Sequence, residues 1–229
     1  MGVTWLETKD LFPAVIKKLK RTRIILDIGC GIRPQNYIKP QVHICCEPFG
    51  QYIEHLQNEI KAKYDRHYVL INATWAEAIK LFPVKSVDTV FLVDVIEHLE
   101  KEEALNLLKA TEEISKQQIA VFTPLGFLPQ LHPDGKDAWG LDGGAWQEHK
   151  SGWQPEDFDE TWDIYATKVF HTTDNTGRQF ETPFGALWAI KSFKDHNYHK
   201  KNDTIERESL HAAIDKVLDV AHKLRLLRK

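Results

Sequence analysis

The sequence predicts an α/β chain: a mostly parallel sheet of seven strands, helices on both faces, and an antiparallel hairpin closing one edge. Three observations carry this. Between residues 24 and 124, short β-branched apolar runs alternate with amphipathic segments at helical spacing. The run "VDTVFLVDV" is almost wholly apolar, as a strand covered on both faces is. After a stretch without periodicity, residues 162–193 read as two strands joined by a loop around Asn175 and Gly177.

Residues 8–20 have the spacing of a short helix, with Leu11, Phe12, Val15, Ile16 and Leu19 on its inner side. "RIILDIG" is the first strand of the alternating region and "VHICCEP" the second. Pro34 and Pro40 lie between them, so any helix there is little more than a turn. "QYIEHLQNEIKAKY" is a helix with Tyr52, Ile53, Leu56 and Ile60 on one face, followed by the strand "HYVLIN". "WAEAIKLF" is a turn or two of helix, stopped by Pro83. After "VDTVFLVDV", "KEEALNLLKATEEISK" has acids in its first turn and Leu105, Leu108 and Thr111 facing inward. "QIAVFTP" is the fifth strand. Residues 125–160 form an insert rich in Gly, Pro, Trp and His. From Asp203 to Lys229 the pattern is one long amphipathic helix, with Asp203 and Glu206 as a capping-box-like start. Its basic end (Lys223, Arg225, Arg228, Lys229) suits a helix C-terminus; the alternatives are a homodimer contact or an anionic partner.

The 229 residues suit a single domain spanning 1–229, with its core over 22–195. Thirty basic against 33 acidic residues leave a net charge of −3, so a nucleic-acid partner is not expected. Three cysteines, an odd number, read as free thiols in a reducing compartment. No apolar run is long enough for a membrane span, and a cytoplasmic location is expected.

The stretch "ILDIGCGIRP" carries the first functional signal. A strand runs into Asp27, then Gly29 and Gly31, and Glu47 follows twenty residues after Asp27 at the end of the next strand. Glycines let the backbone approach a ligand closely, and an acid in that position accepts hydrogen bonds from both ribose hydroxyls. A dinucleotide needs a third glycine and a helix N-terminus for its pyrophosphate. Here the third glycine is absent, Pro34 comes early, and Asp27 would repel a diphosphate. A cationic, phosphate-free nucleoside suits the turn better, and S-adenosylmethionine is one.

"ILDIGCG", "HICCEP", "VDTVFLVDVIEHL" and "VFTP", in this order, resemble the class I S-adenosylmethionine-dependent methyltransferases over residues 24–124. The resemblance implies their Rossmann-like fold and S-adenosyl-L-methionine as cofactor. It implies that Asp27, Gly29, Cys30 and Gly31 contact the amino-acid part of the cofactor and that Glu47 takes the ribose. Pro48 and Phe49 then lie beside the adenine, with Thr74 and Trp75 near its other side, where many relatives carry an acid. Asp94 and Val95 complete the cofactor side.

The loop after the fourth strand, "DVIEHL", faces the methyl group or its surroundings. His98 is positioned to take a proton from a hydroxyl acceptor; alternatively, Glu97 and His98 cap the following helix. Glu97, His98 and His149 are the candidate catalytic residues. In the insert, Trp139, Trp146, Gln147 and Trp153 either line a substrate pocket or pack as a satellite core. Asp94, Glu97 and His98, with the later His149, are similar to the Glu-x-x-Glu-His magnesium set of small-RNA terminal 2′-O-methyltransferases. Asp94 has the shorter side chain, and no metal is expected. The expected activity is methyl transfer, at oxygen, to a small or medium polar acceptor such as a glycan or metabolite. "WQEHKSGWQPEDF" resembles segments in methyltransferases of bacterial surface-polysaccharide pathways. A metal-assisted RNA 2′-O-methyltransferase and a non-catalytic cofactor-binding subunit are the alternatives.

Overall fold

The structure, a computed structural model, describes residues 2–60 and 67–193. The helix expected over 203–229, with its basic end, lies outside the described residues. Eight strands form one sheet: β1 (Val3–Trp5), β2 (Ile24–Ile28), β3 (Val42–Cys46), β4 (His67–Ile71), β5 (Val87–Val93), β6 (Ser115–Leu125), β7 (Trp162–Thr173) and β8 (Gln179–Ser192). Their order across the sheet is β1-β7-β8-β6-β5-β2-β3-β4. Strand β8 runs antiparallel to both β6 and β7, and the other pairings are parallel. The helices are α1 (Thr8–Lys18), α2 (Gly50–Ile60), α3 (Trp75–Ile79) and α4 (Lys101–Ile114).

Seven of these strands are those expected from the pattern. The eighth, β1, pairs Val3, Thr4 and Trp5 with Ile164, Tyr165 and Ala166 on the far edge. Three residues are too few to show a period, so only the pairing reveals this strand.

Alternation along the central strands serves two cores at once. On one face, Leu26, Val90, Leu92, Ile119 and Val121 pack with Ala104, Leu107 and Leu108 of α4. On the other, Ile25, Phe91, Ala120 and Phe122 pack with Leu11 and Val15 of α1 and with Trp188 of β8. A strand with apolar neighbours on both sides has no polar face, which is why β5 reads as a continuous apolar run. Two inward assignments fail: Leu105 and Ile16 are both 43% exposed, because their helices turn the neighbouring Ala104, Leu107 and Val15 inward instead.

The connection from β2 to β3 contains no helix. Residues 29–41 are held instead by the buried Gln35. Its amide oxygen accepts from the N–H groups of Tyr37 and Ile38, and its amide nitrogen donates to the Ile38 carbonyl. The helix N-terminus that would cradle a pyrophosphate is therefore missing from this turn.

Candidate active site

Where β2 ends, the chain turns through two left-handed glycines, Gly29 at φ +65° and Gly31 at φ +53°. The N–H groups of Gly29 and Cys30 donate to the Cys46 carbonyl at 2.8 and 3.4 Å, which ties the turn to the end of β3. A Cβ on Gly29 would lie 2.8 Å from Val95 Cγ2, and one on Gly31 would lie 3.2 Å from the Trp139 indole. The two glycines are thus required by conformation and by close neighbours together. Cys30, Cys45 and Cys46 are all buried free thiols.

Asp27 is buried, and one of its oxygens is already engaged. Oδ2 accepts from the Gln35 N–H at 2.7 Å and from His43 Nε2 at 3.2 Å. Burial works against charge on His43, but its hydrogen bonds to Asp27 and Cys45 outweigh this and raise its pKa to about 9. Asp27 therefore faces an imidazolium inside the sheet, and its charge is compensated there. Glu47 spans the turn from the other side. Oε2 accepts from the Gly31 N–H at 3.0 Å and Oε1 from the Phe49 N–H at 2.9 Å. Burial raises its pKa to about 7 despite those two donors. Pro48 and Phe49 follow directly, and Asn72 donates to the carbonyls of Glu47 and Pro48. Phe49 packs edge-on against Tyr52, with ring centroids 4.9 Å apart.

Beyond β5, Asp94 adopts a left-handed backbone at φ +52°. Its side chain is solvent-exposed and shares a hydrogen bond with the buried Glu97 carboxyl. A single 3-10 turn, Ile96–His98, then presents Glu97 and His98. Neither caps α4, whose N-cap is Glu100 without a side-chain bond. Glu97 is 2% exposed; its Oε2 accepts from Thr123 at 3.0 Å, and its carboxyl also shares a hydrogen bond with Asp94. Burial, and then the Asp94 carboxylate, push its pKa up. The N–H groups of Lys150 and Ser151 donate to the Glu97 carbonyl, stitching the insert to this turn.

This stitching brings together residues far apart in sequence. His98 Nδ1 donates to the Glu148 carbonyl at 3.1 Å, and His149 Nδ1 donates to the Leu128 carbonyl at 2.6 Å. The two rings meet edge-on at 4.9 Å, and ligating atoms of Glu97, His98 and His149 all lie within 4.8 Å of one another. Burial lowers the pKa of both histidines, that of His98 to about 4 with His149 adding to the effect. Both are neutral at pH 7, and each leaves Nε2 as its lone-pair nitrogen.

The insert divides its tryptophans between two duties. Trp139 stands on the glycine turn and packs edge-on against Tyr52 at 5.2 Å; the Tyr52 hydroxyl donates to Asp137 at 2.6 Å. Gln147 lies beside that hydroxyl, and Trp146 is 46% exposed. Trp153 is fully buried in the main core, its indole N–H on Ser151 and Lys101 over its ring. A side chain so enclosed is packing, which for Trp153 is the core alternative rather than the pocket wall. Trp75 likewise directs its indole N–H to Glu103 of α4, and Thr74 is the N-cap of α3 in a capping box with Glu77. Neither tie is to the turn. His43, Gln35, Asn72 and Thr123 shape the site without any signal in local spacing; each acts on a residue at least eight positions away.

No protein-family model matches the chain, and no curated protein matches it by sequence. Among solved structures, TehB from Haemophilus influenzae is similar with a TM-score of 0.52 at 16% identity; the match covers 79% of this chain and 61% of that one. The shared fold is Rossmann-like: a mostly parallel sheet with helices and an antiparallel hairpin at one side. The magnesium protoporphyrin IX methyltransferase of Synechocystis PCC 6803 with bound SAM matches at 0.47 and 12% identity, covering 79% of this chain and 78% of that one. A SAM-dependent methyltransferase from Archaeoglobus fulgidus matches at 0.48 and 17% identity, with 79% and 91% covered. Within this fold, the glycine turn, Glu47 and the Asp94–His98 loop all lie at the carboxyl ends of neighbouring parallel strands, where open α/β sheets hold their ligands.

Proposed function

We propose that the chain is an S-adenosylmethionine-dependent methyltransferase acting at an oxygen of a small or medium polar acceptor, a glycan or a metabolite. One observation carries this reading. The left-handed Gly29–Gly31 turn is latched across two strand ends by Glu47, with a cluster of neutral imidazoles beyond the next strand. The residues fit the cofactor: the turn has no Cβ to obstruct it, Glu47 offers acceptor oxygens for ribose hydroxyls, and Asp94 offers a carboxylate for a cationic group. The missing phosphate platform fits a nucleoside without a diphosphate.

When bound, the sulfonium supplies an activated methyl group, transferred by in-line displacement. The acceptor oxygen forms the new C–O bond as the S–C bond breaks, and its proton must leave. The protein's contribution is alignment and that proton. Trp139 walls the turn, and Gln147 lies beside the hydroxyl of Tyr52, against which Trp139 packs. The Glu97, His98 and His149 cluster meets the acceptor, its imidazoles already unprotonated at neutral pH. Calorimetry with S-adenosylhomocysteine tests the first half: binding that Glu47→Ala weakens is expected, and no binding by the folded wild type refutes it. Labelled cofactor incubated with cell extracts then identifies the acceptor by the product that gains label.

A further inference from the structure

We propose that hydrogen peroxide joins Cys30 and Cys45 in a reversible disulfide, which locks the glycine turn to β3 and closes it to its ligand. Three observations converge on this pair. The first is contact. Cys30 stands between the two left-handed glycines, and Cys45 is the register partner of Asp27 on β3. The N–H groups of Gly29 and Cys30, both donated to the Cys46 carbonyl, fold the turn back over that strand. The two thiols share a hydrogen bond, and both pack with Leu56 of α2 in a small core of their own. The second is activation. Ligating atoms of Asp27, His43 and Cys45 lie within 4.8 Å of one another. Burial works against charge on Cys45, but its hydrogen bonds to Cys30 and His43 outweigh this and lower its pKa. The thiolate is the form that reacts. The third is selection. Successive residues of a strand face opposite sides of the sheet, so Cys46 points away from the pair. Its Sγ donates to the Ala73 carbonyl at 3.3 Å within the main core, and burial pushes its pKa up.

The chemistry balances within the pair. The Cys45 thiolate attacks one oxygen of the peroxide; the O–O bond breaks, Cys45 becomes a sulfenic acid, and the other oxygen leaves as water. The Cys30 sulfur then displaces the sulfenic oxygen as a second water, and the S–S bond closes. The two thiol protons leave in the two waters, and the two electrons lost by the sulfurs reduce the peroxide. Cys30 is 7% exposed, which gives so small an oxidant a way in. Closure draws the sulfurs from hydrogen-bond contact to about 2.05 Å. Cys30 must then move toward β3, and it pulls on the neighbouring Gly31, whose N–H is held by Glu47 at 3.0 Å. On the methyltransferase reading above, that latch seats the cofactor, so the oxidised chain binds it weakly. The disulfide itself does not depend on that reading.

The test uses the full chain, reduced, freed of reductant and shown to melt cooperatively. It is treated with hydrogen peroxide, and free thiols are alkylated on unfolding. Dithiothreitol then releases bonded thiols, which take a second label that mass spectrometry assigns residue by residue. The second label is expected on Cys30 and Cys45 and the first on Cys46, with all three thiols recovered after reduction. Cys46→Ala should keep the bond and Cys45→Ser should abolish it; the wild-type labels decide the matter even where a variant misfolds. Calorimetry with S-adenosylhomocysteine should show binding about tenfold weaker or more in the oxidised chain, regained with dithiothreitol, because the preorganised turn is lost. Three thiols kept by the folded chain, a bond that includes Cys46 or joins two chains, or equal affinity in both redox states overturns the proposal. If the reduced chain binds no S-adenosylhomocysteine, the cofactor reading fails, and the labels still judge the bond.

Discussion

Replacing Gly29 with alanine perturbs the turn in two ways that can be separated. At φ +65° an L side chain costs roughly 1–2 kcal/mol. The new Cβ would also lie 2.8 Å from Val95 Cγ2, well inside the ~3.5–4 Å at which carbon atoms rest. Overpacking of that kind costs about 1–3 kcal/mol. The sum, about 2–5 kcal/mol, is a large part of the ~5–15 kcal/mol of a typical domain. Val95→Ala, at a site 8% exposed, removes two buried methyl groups for about 1–3 kcal/mol. In the double variant the clashing atom is gone and only the backbone strain of the Gly29→Ala change remains. The interaction energy of the cycle should then be about −1 to −3 kcal/mol. Urea unfolding followed by far-UV circular dichroism gives all four stabilities at one pH and temperature. A cycle that is additive within about 0.5 kcal/mol would show that Val95 does not press on the turn, and the reasoning fails.

Other outcomes follow from the same geometry. Glu47, raised from 4.5 to about 7, favours folding fully below pH 4.5, and that contribution is lost as pH rises through 7, up to about 3 kcal/mol. Glu47→Gln should flatten that slope. Ribose hydroxyls donating to the carboxylate should draw its pKa back down, so calorimetry of S-adenosylhomocysteine in buffers of different ionisation enthalpy should detect proton release near pH 7, absent in Glu47→Gln. His43, raised from 6.5 to about 9, stabilises the fold fully below pH 6.5 and loses that contribution as pH climbs through 9, again up to about 3 kcal/mol. In His43→Ala the fall in urea midpoint between pH 7 and 10 should shrink. Trp153→Ala should destabilise by about 3–5 kcal/mol; an unchanged melting temperature with a raised acceptor KM would return Trp153 to the pocket wall.

What could be read in advance divides along a physical line. Interactions between residues close in sequence leave a local signature, and those were legible: the periodicity of β2 to β8, the irregular insert, and the glycine pair whose left-handed φ values explain its composition. Interactions across strands leave none. Asp27 reads as a ligand contact because it precedes two glycines, yet its charge is met by His43, which lies on the adjacent strand two positions from its register partner Cys45. Trp153 reads as a mouth residue because the insert is irregular. Its bridges to Leu125 and Gly126 instead pull that part of the insert down into the sheet.

The His98–His149 pair shows what this division means for function. Each histidine alone is weak evidence, and the spacing between them carries no information. The backbone of Glu97 joins them, because its carbonyl accepts from both Lys150 and Ser151, which immediately follow His149. The same residue thus holds the insert in place with its main chain and ties the turn to Thr123 and Asp94 with its side chain. One residue therefore sets where both imidazoles stand. On the proton-transfer reading, the acceptor's proton passes directly to an imidazole that this single tie holds in place.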